Sequence, residues 1–206
     1  MKRLALVLVL AAALAGCSKK DAPSAAPPSA AASPSAAASP SASPLPSGSA
    51  NPSASANTGL VEFTVDGAGP YQLGAALTAL TPDLDEVKTG GATCPENTTA
   101  RGKGVWKDLQ LQFRKDGSLY LAINRSTSIP TPSGAWLGST LTELKTIYSK
   151  VSAEELKRGT ASAYLVTTTS GRGVLFDLGT GQKVTAMIAG EAAYLKSSYL
   201  GGTDFC

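Results

Sequence analysis

The hydrophobic and polar positions divide the chain into three stretches with different periodicities. Leu4 to Ala15 is an uninterrupted apolar run, LALVLVLAAALA, behind Met1-Lys2-Arg3. Ser18 to Asn57 has no apolar periodicity: 33 of its 40 residues are Ala, Ser or Pro. From residue 58 onward the pattern is that of a folded domain. Leu109, Leu111 and Phe113 alternate with Gln110, Gln112 and Arg114, a period of two that predicts a half-buried strand. Lys115-Asp116-Gly117 signals a hairpin turn, and Leu119, Leu121 and Ile123 return as the partner strand. On that alternation Gln110, Gln112, Arg114, Tyr120 and Asn124 share the outward face of the sheet. The second half repeats the scheme. Ala163 to Thr169 reads as a strand, Ser170 to Gly173 as its turn, and Val174 to Leu178 with Val184 to Ile188 as a hairpin closed by Gly179-Thr180-Gly181. Val61 to Asp66 is a further candidate strand. Tyr194 to Phe205 is aromatic-rich, and its pattern does not separate helix from loop.

Two helix signals precede these strands. Leu77 and Leu80 have i, i+3 spacing, as do Leu141 and Leu144. Thr140 with Glu143 fits a capping box, and Ser152 with Glu155 fits a second one. With Gly159 as its stop, the latter predicts a short helix from Ala153 to Arg158. Segments 69–80 and 133–144 align at an offset of 64, matching Leu73, Gly74, Leu77 and Leu80 to Leu137, Gly138, Leu141 and Leu144. The expected fold class is therefore α+β, with two tandem helix-plus-β-hairpin repeats and an antiparallel sheet. The boundaries are 1–16 for a signal peptide, 17–57 for a tether, and 58–127 and 128–206 for the repeats.

Composition changes this picture in three ways. The formal charge of +3 misleads, because Lys2, Arg3, Lys19 and Lys20 all precede residue 21, and the domain itself is near neutral. Such a domain has no electrostatic footprint for nucleic acid. There is no histidine, which removes the commonest metal ligand and general base. No metal or other cofactor is expected. Beyond Cys17 only Cys94 and Cys206 remain, so in an oxidising compartment a disulfide between them is expected. The tether cannot bury enough apolar surface to offset its ordering entropy, and its eight prolines block a continuous helix.

The N-terminal run ends Leu14-Ala15-Gly16-Cys17. That ending resembles the lipobox of bacterial lipoproteins. Thirteen residues from Leu4 to Gly16 are too few for a spanning helix, which needs about 20. The resemblance implies cleavage before Cys17, lipid attachment to its thiol, and a domain held at the extracytoplasmic face of the membrane. Two further resemblances concern the domain. Asp66-Gly-Ala-Gly-Pro-Tyr-Gln-Leu-Gly74 and Pro132 to Tyr148 resemble recurring segments of an exported family from high-GC Gram-positive bacteria, which implies export and no particular activity. More distantly, the helix-plus-hairpin units are similar to the tandem-repeat β-lactamase inhibitor protein and to the small lipoprotein subunit of the outer-membrane β-barrel assembly machine. Both are binding proteins, and no binding residue transfers by position.

Candidate chemistry is sparse. Asp83, Asp85 and Glu86 lack the spacing of a calcium loop and read as a solvated turn. Gly171-Arg172-Gly173 lies between strands, so it reads as a turn rather than a phosphate contact. No serine has a histidine to pair with. Asn97-Thr98-Thr99 and Asn124-Arg125-Ser126 match the glycosylation sequon, which carries little weight in a bacterial lipoprotein. Trp106 and Trp136 are expected as core anchors. The expected function is a non-enzymatic binding module of the cell envelope, with a protein or wall polymer as ligand and Gln110, Gln112, Arg114, Tyr120 and Asn124 as the candidate partner face. The alternatives are an envelope enzyme using Ser, Lys or acidic residues, and a structural surface protein.

Overall fold

Strand pairing decides the architecture. The computed structural model describes residues 61–91, 94–203 and 205–206. The signal peptide, Cys17 and the tether lie outside the described residues. A small antiparallel sheet comes first: β1 (Phe63–Thr64), β2 (Gly67–Ala68) and β3 (Tyr71–Gln72). Helix α1 (Leu77–Leu80) leads into β4 (Leu84–Thr89), β5 (Thr98–Gly102), β6 (Leu109–Phe113) and β7 (Leu119–Asn124). Helix α2 (Leu141–Ile147) leads into β8 (Ser152–Arg158), β9 (Ala161–Thr167), β10 (Arg172–Leu178) and β11 (Val184–Glu191), and α3 (Ala192–Gly201) follows. The main sheet has the order β4-β5-β6-β7-β11-β10-β9-β8, antiparallel throughout. It is two four-stranded meanders joined through their last strands. The fold is α+β, dominated by antiparallel sheet. No helix among the described residues is long and apolar enough to cross a membrane.

The central strands of the main sheet are buried on both faces. One face packs Leu109, Leu111, Phe113, Phe176 and Met187 against Phe63 and Tyr71 of the small sheet and against Leu80 and Leu144 of the first two helices. The other packs Leu121, Ile123, Leu165, Leu175 and Ile188 against Leu195 and Tyr199 of α3. Central strands covered on both faces are nearly continuous in hydrophobicity, which is why β7, β10 and β11 alternate weakly.

The two helix starts dock on their hairpins in the same way. The Gly74 amide donates to the Leu119 carbonyl at 2.7 Å, and Gly138 donates to Val184 at 2.8 Å. Leu77 donates to Gly117 at 2.8 Å, and Leu141 to Gln182 at 2.9 Å. Leu119 donates back to Ala75, and Val184 to Ser139, both at 2.9 Å. Gly74 and Gly138 have φ of 92° and 96°, values that a Cβ disfavours. In α2 the capping box is complete: Glu143 N–H donates to the Thr140 hydroxyl at 3.3 Å, and Thr140 N–H donates to Glu143 Oε2 at 2.7 Å.

One expected helix is a strand. Residues 152–158 form edge strand β8, in register with β9 from Ser152 opposite Thr167 to Arg158 opposite Ala161. Gly159, at φ 61°, turns a hairpin rather than ending a helix. The Ser152/Glu155 pattern is a local preference, and a full ladder to β9 outweighs it. Residues 84–89, expected as a solvated turn at their acidic start, form β4. There Arg101 pairs with Glu86 at 3.3 Å, and Lys103 with Asp85 at 3.9 Å. The aromatic C-terminal segment is α3, which stops at Gly202 in the left-handed region (φ 69°).

Candidate functional site

The face bearing α3 is covered unequally. The helix lies against β8, β10 and β11, and beside it the polar side chains of the first meander border a cleft of about 390 Å³. Gln110 and Gln112 of β6 contribute amides, and Thr99 of β5 a hydroxyl. Arg125 follows β7, Arg158 ends β8, and Asp177 is on β10. The volume lies within the range of small-ligand sites.

Two guanidinium groups border this cleft without an ion pair. Arg158 Nη1 donates to the Tyr199 carbonyl at 3.1 Å, and its Cζ lies 5.3 Å from the centroid of the Tyr199 ring. Neither Arg125 nor Arg158 lies within 4.0 Å of a carboxylate oxygen among the described residues, although Asp177 borders the same cleft. Tyr199 is buried, and its hydroxyl is the one buried side-chain polar atom without a hydrogen bond among the described residues. Burial, reinforced by the charge of Asp177 and opposed by Arg158, raises its pKa above the usual 10.0.

A bulge sorts the expected partner face. Gln112 pairs with Leu121 and Phe113 with Leu119, so Tyr120 is the extra residue of β7. Downstream of it the faces are exchanged. Gln110, Gln112 and Tyr120 lie on the α3 side. Asn124 sits opposite Leu109, fully buried in the other core, and donates to the Ile129 carbonyl at 2.9 Å. Asn124 is therefore a core residue and not part of a partner face. Arg114 lies over the Tyr120 ring, with Cζ 5.3 Å from the centroid. Tyr120 is structural as well. Its hydroxyl accepts from Asn97 Nδ2 at 2.9 Å and lies 2.8 Å from Gln112 Oε1 and 3.0 Å from the Phe205 carbonyl. With one proton it donates to one of these at a time. Burial raises its pKa far above the usual 10.0. The disulfide joins Cys94 and Cys206 across 112 residues, with Cα atoms 5.4 Å apart, and holds the C-terminus at the border of the cleft.

Sequence reasoning placed Gln110 and Gln112 on the site face but missed Arg125, Arg158, Asp177 and Tyr199. They stand in four separate parts of the chain, after β7, on β8, on β10 and on α3, and no spacing links them. Among the tryptophans, Trp106 packs edge-on to Tyr71 as an anchor, whereas Trp136 is 55% exposed. Arg172 pairs with Asp66 instead of facing a ligand. No group of metal-ligating side chains occurs among the described residues.

No family model matches the chain, and no curated protein sequence matches it. Among solved structures it is similar to an extracellular protein containing a SCP domain from Bacillus anthracis str. Ames, at 10% sequence identity and a TM-score of 0.35. The match covers 60% of this chain and 46% of that one, so it spans less than half the length of the solved protein.

Proposed function

We propose that this is a lipid-anchored protein of the cell envelope whose domain is a non-enzymatic binding module, taking an anionic, hydroxylated wall polymer at the cleft beside α3. The observation that carries the reading is the pair Arg125 and Arg158, two guanidiniums bordering one cleft without an ion pair among the described residues. Guanidinium forks match carboxylates and phosphates. The amides of Gln110 and Gln112 and the hydroxyl of Thr99 suit the hydroxyl groups of a sugar. An enzymatic role has less support: no hydroxyl among the described residues accepts a hydrogen bond from a lysine ammonium.

Anchoring rests on Leu14-Ala15-Gly16-Cys17 behind a short apolar run, and the Ala/Ser/Pro stretch suits a tether between membrane and wall. Two or three acyl chains at Cys17 would hold the protein stably, whereas one holds it marginally. Duplication of a helix-plus-meander unit is part of the same reading. Its support is the equivalence of Gly74–Leu119 with Gly138–Val184 and of Leu77–Gly117 with Leu141–Gln182.

The test is co-sedimentation of the full-length chain with purified cell walls, beside in-cell crosslinking. Wall binding that weakens at least tenfold in an Arg125→Gln/Arg158→Gln variant supports the polymer. A crosslinked protein lost in that variant would replace the polymer with a protein partner. Equal behaviour of both chains in both assays removes the cleft as the site. Retention of Cys17→Ser in the membrane fraction would remove the anchor.

A further inference from the structure

A second cavity lies on the opposite side of the main sheet from α3. It is a cleft of about 820 Å³ between β1, the end of α2 and strands β9 and β10. Its walls are apolar: Phe63, Val65, Ile147, Val151, Val166 and Val174. Val151 is 51% exposed, unusual for a large aliphatic residue beside a cavity unless something covers it.

The polar groups around this cleft are mostly committed elsewhere. The Thr131 and Tyr148 hydroxyls bond each other at 2.9 Å, and Ser133 also bonds Tyr148. Thr64 donates to the Gly67 carbonyl at 3.0 Å, and Thr168 to the Arg172 carbonyl at 2.9 Å. One charged side chain remains among the described lining residues. Lys150 follows the last turn of α2, is exposed, and makes no ion pair among the described residues. The cleft therefore offers apolar walls and a single ammonium at its border, with no carboxylate to repel an anion.

We propose that this cleft binds a single-chain carboxylate amphiphile, with the acyl chain along the apolar walls and the carboxylate at the Lys150 ammonium. The inference is independent of the arginine cleft, which shares no residue with it. A neutral ligand would leave the ammonium unused, and a polymer of hydroxylated sugars would leave the valines wet. The volume falls in the range that accommodates a small ligand and exceeds that of the arginine cleft.

The experiment is calorimetric titration of the full-length chain, purified unacylated, with octanoate, decanoate and decanol at pH 8. Methyl resonances are followed in parallel by NMR. Each buried methylene strengthens binding roughly fourfold, so decanoate binds roughly fifteenfold more tightly than octanoate. Lys150→Gln weakens decanoate by about two- to fivefold and leaves decanol unchanged, as for an exposed ion pair. Ile147, Val151 and Val174 methyls shift, and those of Ile188 and Leu200 do not. Affinity that ignores chain length, shifts outside the cleft, or equal loss of decanoate and decanol binding in Lys150→Gln would each overturn the proposal.

Discussion

The Tyr120 hydroxyl lies 3.0 Å from the backbone carbonyl of Phe205, 85 residues further along the chain. Tyr120 is the extra residue of the bulge in β7 and lies on the α3 side of the sheet, where the C-terminal segment reaches it.

Tyr120→Phe leaves Asn97 Nδ2 without its acceptor and either Gln112 Oε1 or the Phe205 carbonyl without its donor. The expected cost is about 1–3 kcal/mol. Urea denaturation checks this, and faster amide exchange at residues 203–206 would show that the tail is what loosens.

Alkaline pH weakens the fold. Tyr71, Tyr120, Tyr148 and Tyr199 all have raised pKa values, each mainly through burial. The unfolded chain loses these protons near pH 10, while the folded chain keeps them. The folded state then binds more protons, so stability is full below pH 10 and falls as pH rises through the folded values. Thermal unfolding at pH 8 to 11 measures this, and Tyr120→Phe flattens the decline.

The Cys94–Cys206 disulfide closes a long loop. Cys94→Ser with Cys206→Ser is expected to lower stability by about 2–4 kcal/mol. Since Cys94 and Phe205 border the arginine cleft and the disulfide holds Cys206 beside them, the same variant also weakens wall binding if that cleft is the site. A free-thiol count of zero on the unreduced, unacylated domain lacking Cys17 checks the pairing directly.

Thr140→Ala removes the capping hydroxyl of α2 and is expected to cost about 1 kcal/mol. The wild-type Glu143 carboxylate is held below its usual pKa by the Thr140 backbone amide, then by its hydroxyl. Its contribution is therefore present above the unfolded value of about 4.5 and is lost as pH falls. Acid unfolding of Thr140→Ala is correspondingly less steep than that of the wild type.

Gly74→Ala and Gly138→Ala place a Cβ on backbone at φ 92° and 96°, where nothing else crowds it. The strain costs about 1–3 kcal/mol at each site. Equal costs, within about 0.5 kcal/mol, are expected because the two positions make the same docking bond. Parallel chemical denaturation of the two variants measures the difference, and unequal costs would count against two equivalent repeats.

Much of the domain was legible in its local pattern. The 109–124 and 174–188 hairpins stand where alternation and turn residues put them, because strand period and turn chemistry are short-range properties. The Thr140–Glu143 box is equally local. The disulfide followed from there being two cysteines beyond Cys17. Strand β4 was illegible, because an exposed edge strand carries charges and shows no clean alternation. Strand β8 was misread because a capping pattern of four residues competes poorly with a seven-residue ladder.

The sequence by itself determined the antiparallel α+β class, the hairpins and the helix cap, since each depends on residues within a few positions of one another. It also separated the N-terminal apolar run and the Ala/Ser/Pro stretch from the domain by composition alone. Only the tertiary structure decided which side chains share a face. One extra residue at Tyr120 moved Asn124 into the core and brought Leu121 and Ile123 under the α3 side. It also decided that Arg125 and Arg158 border one cleft and that Lys150 stands beside another. Those juxtapositions arise from strands and helices far apart in the chain, and local periodicity carries no information about them.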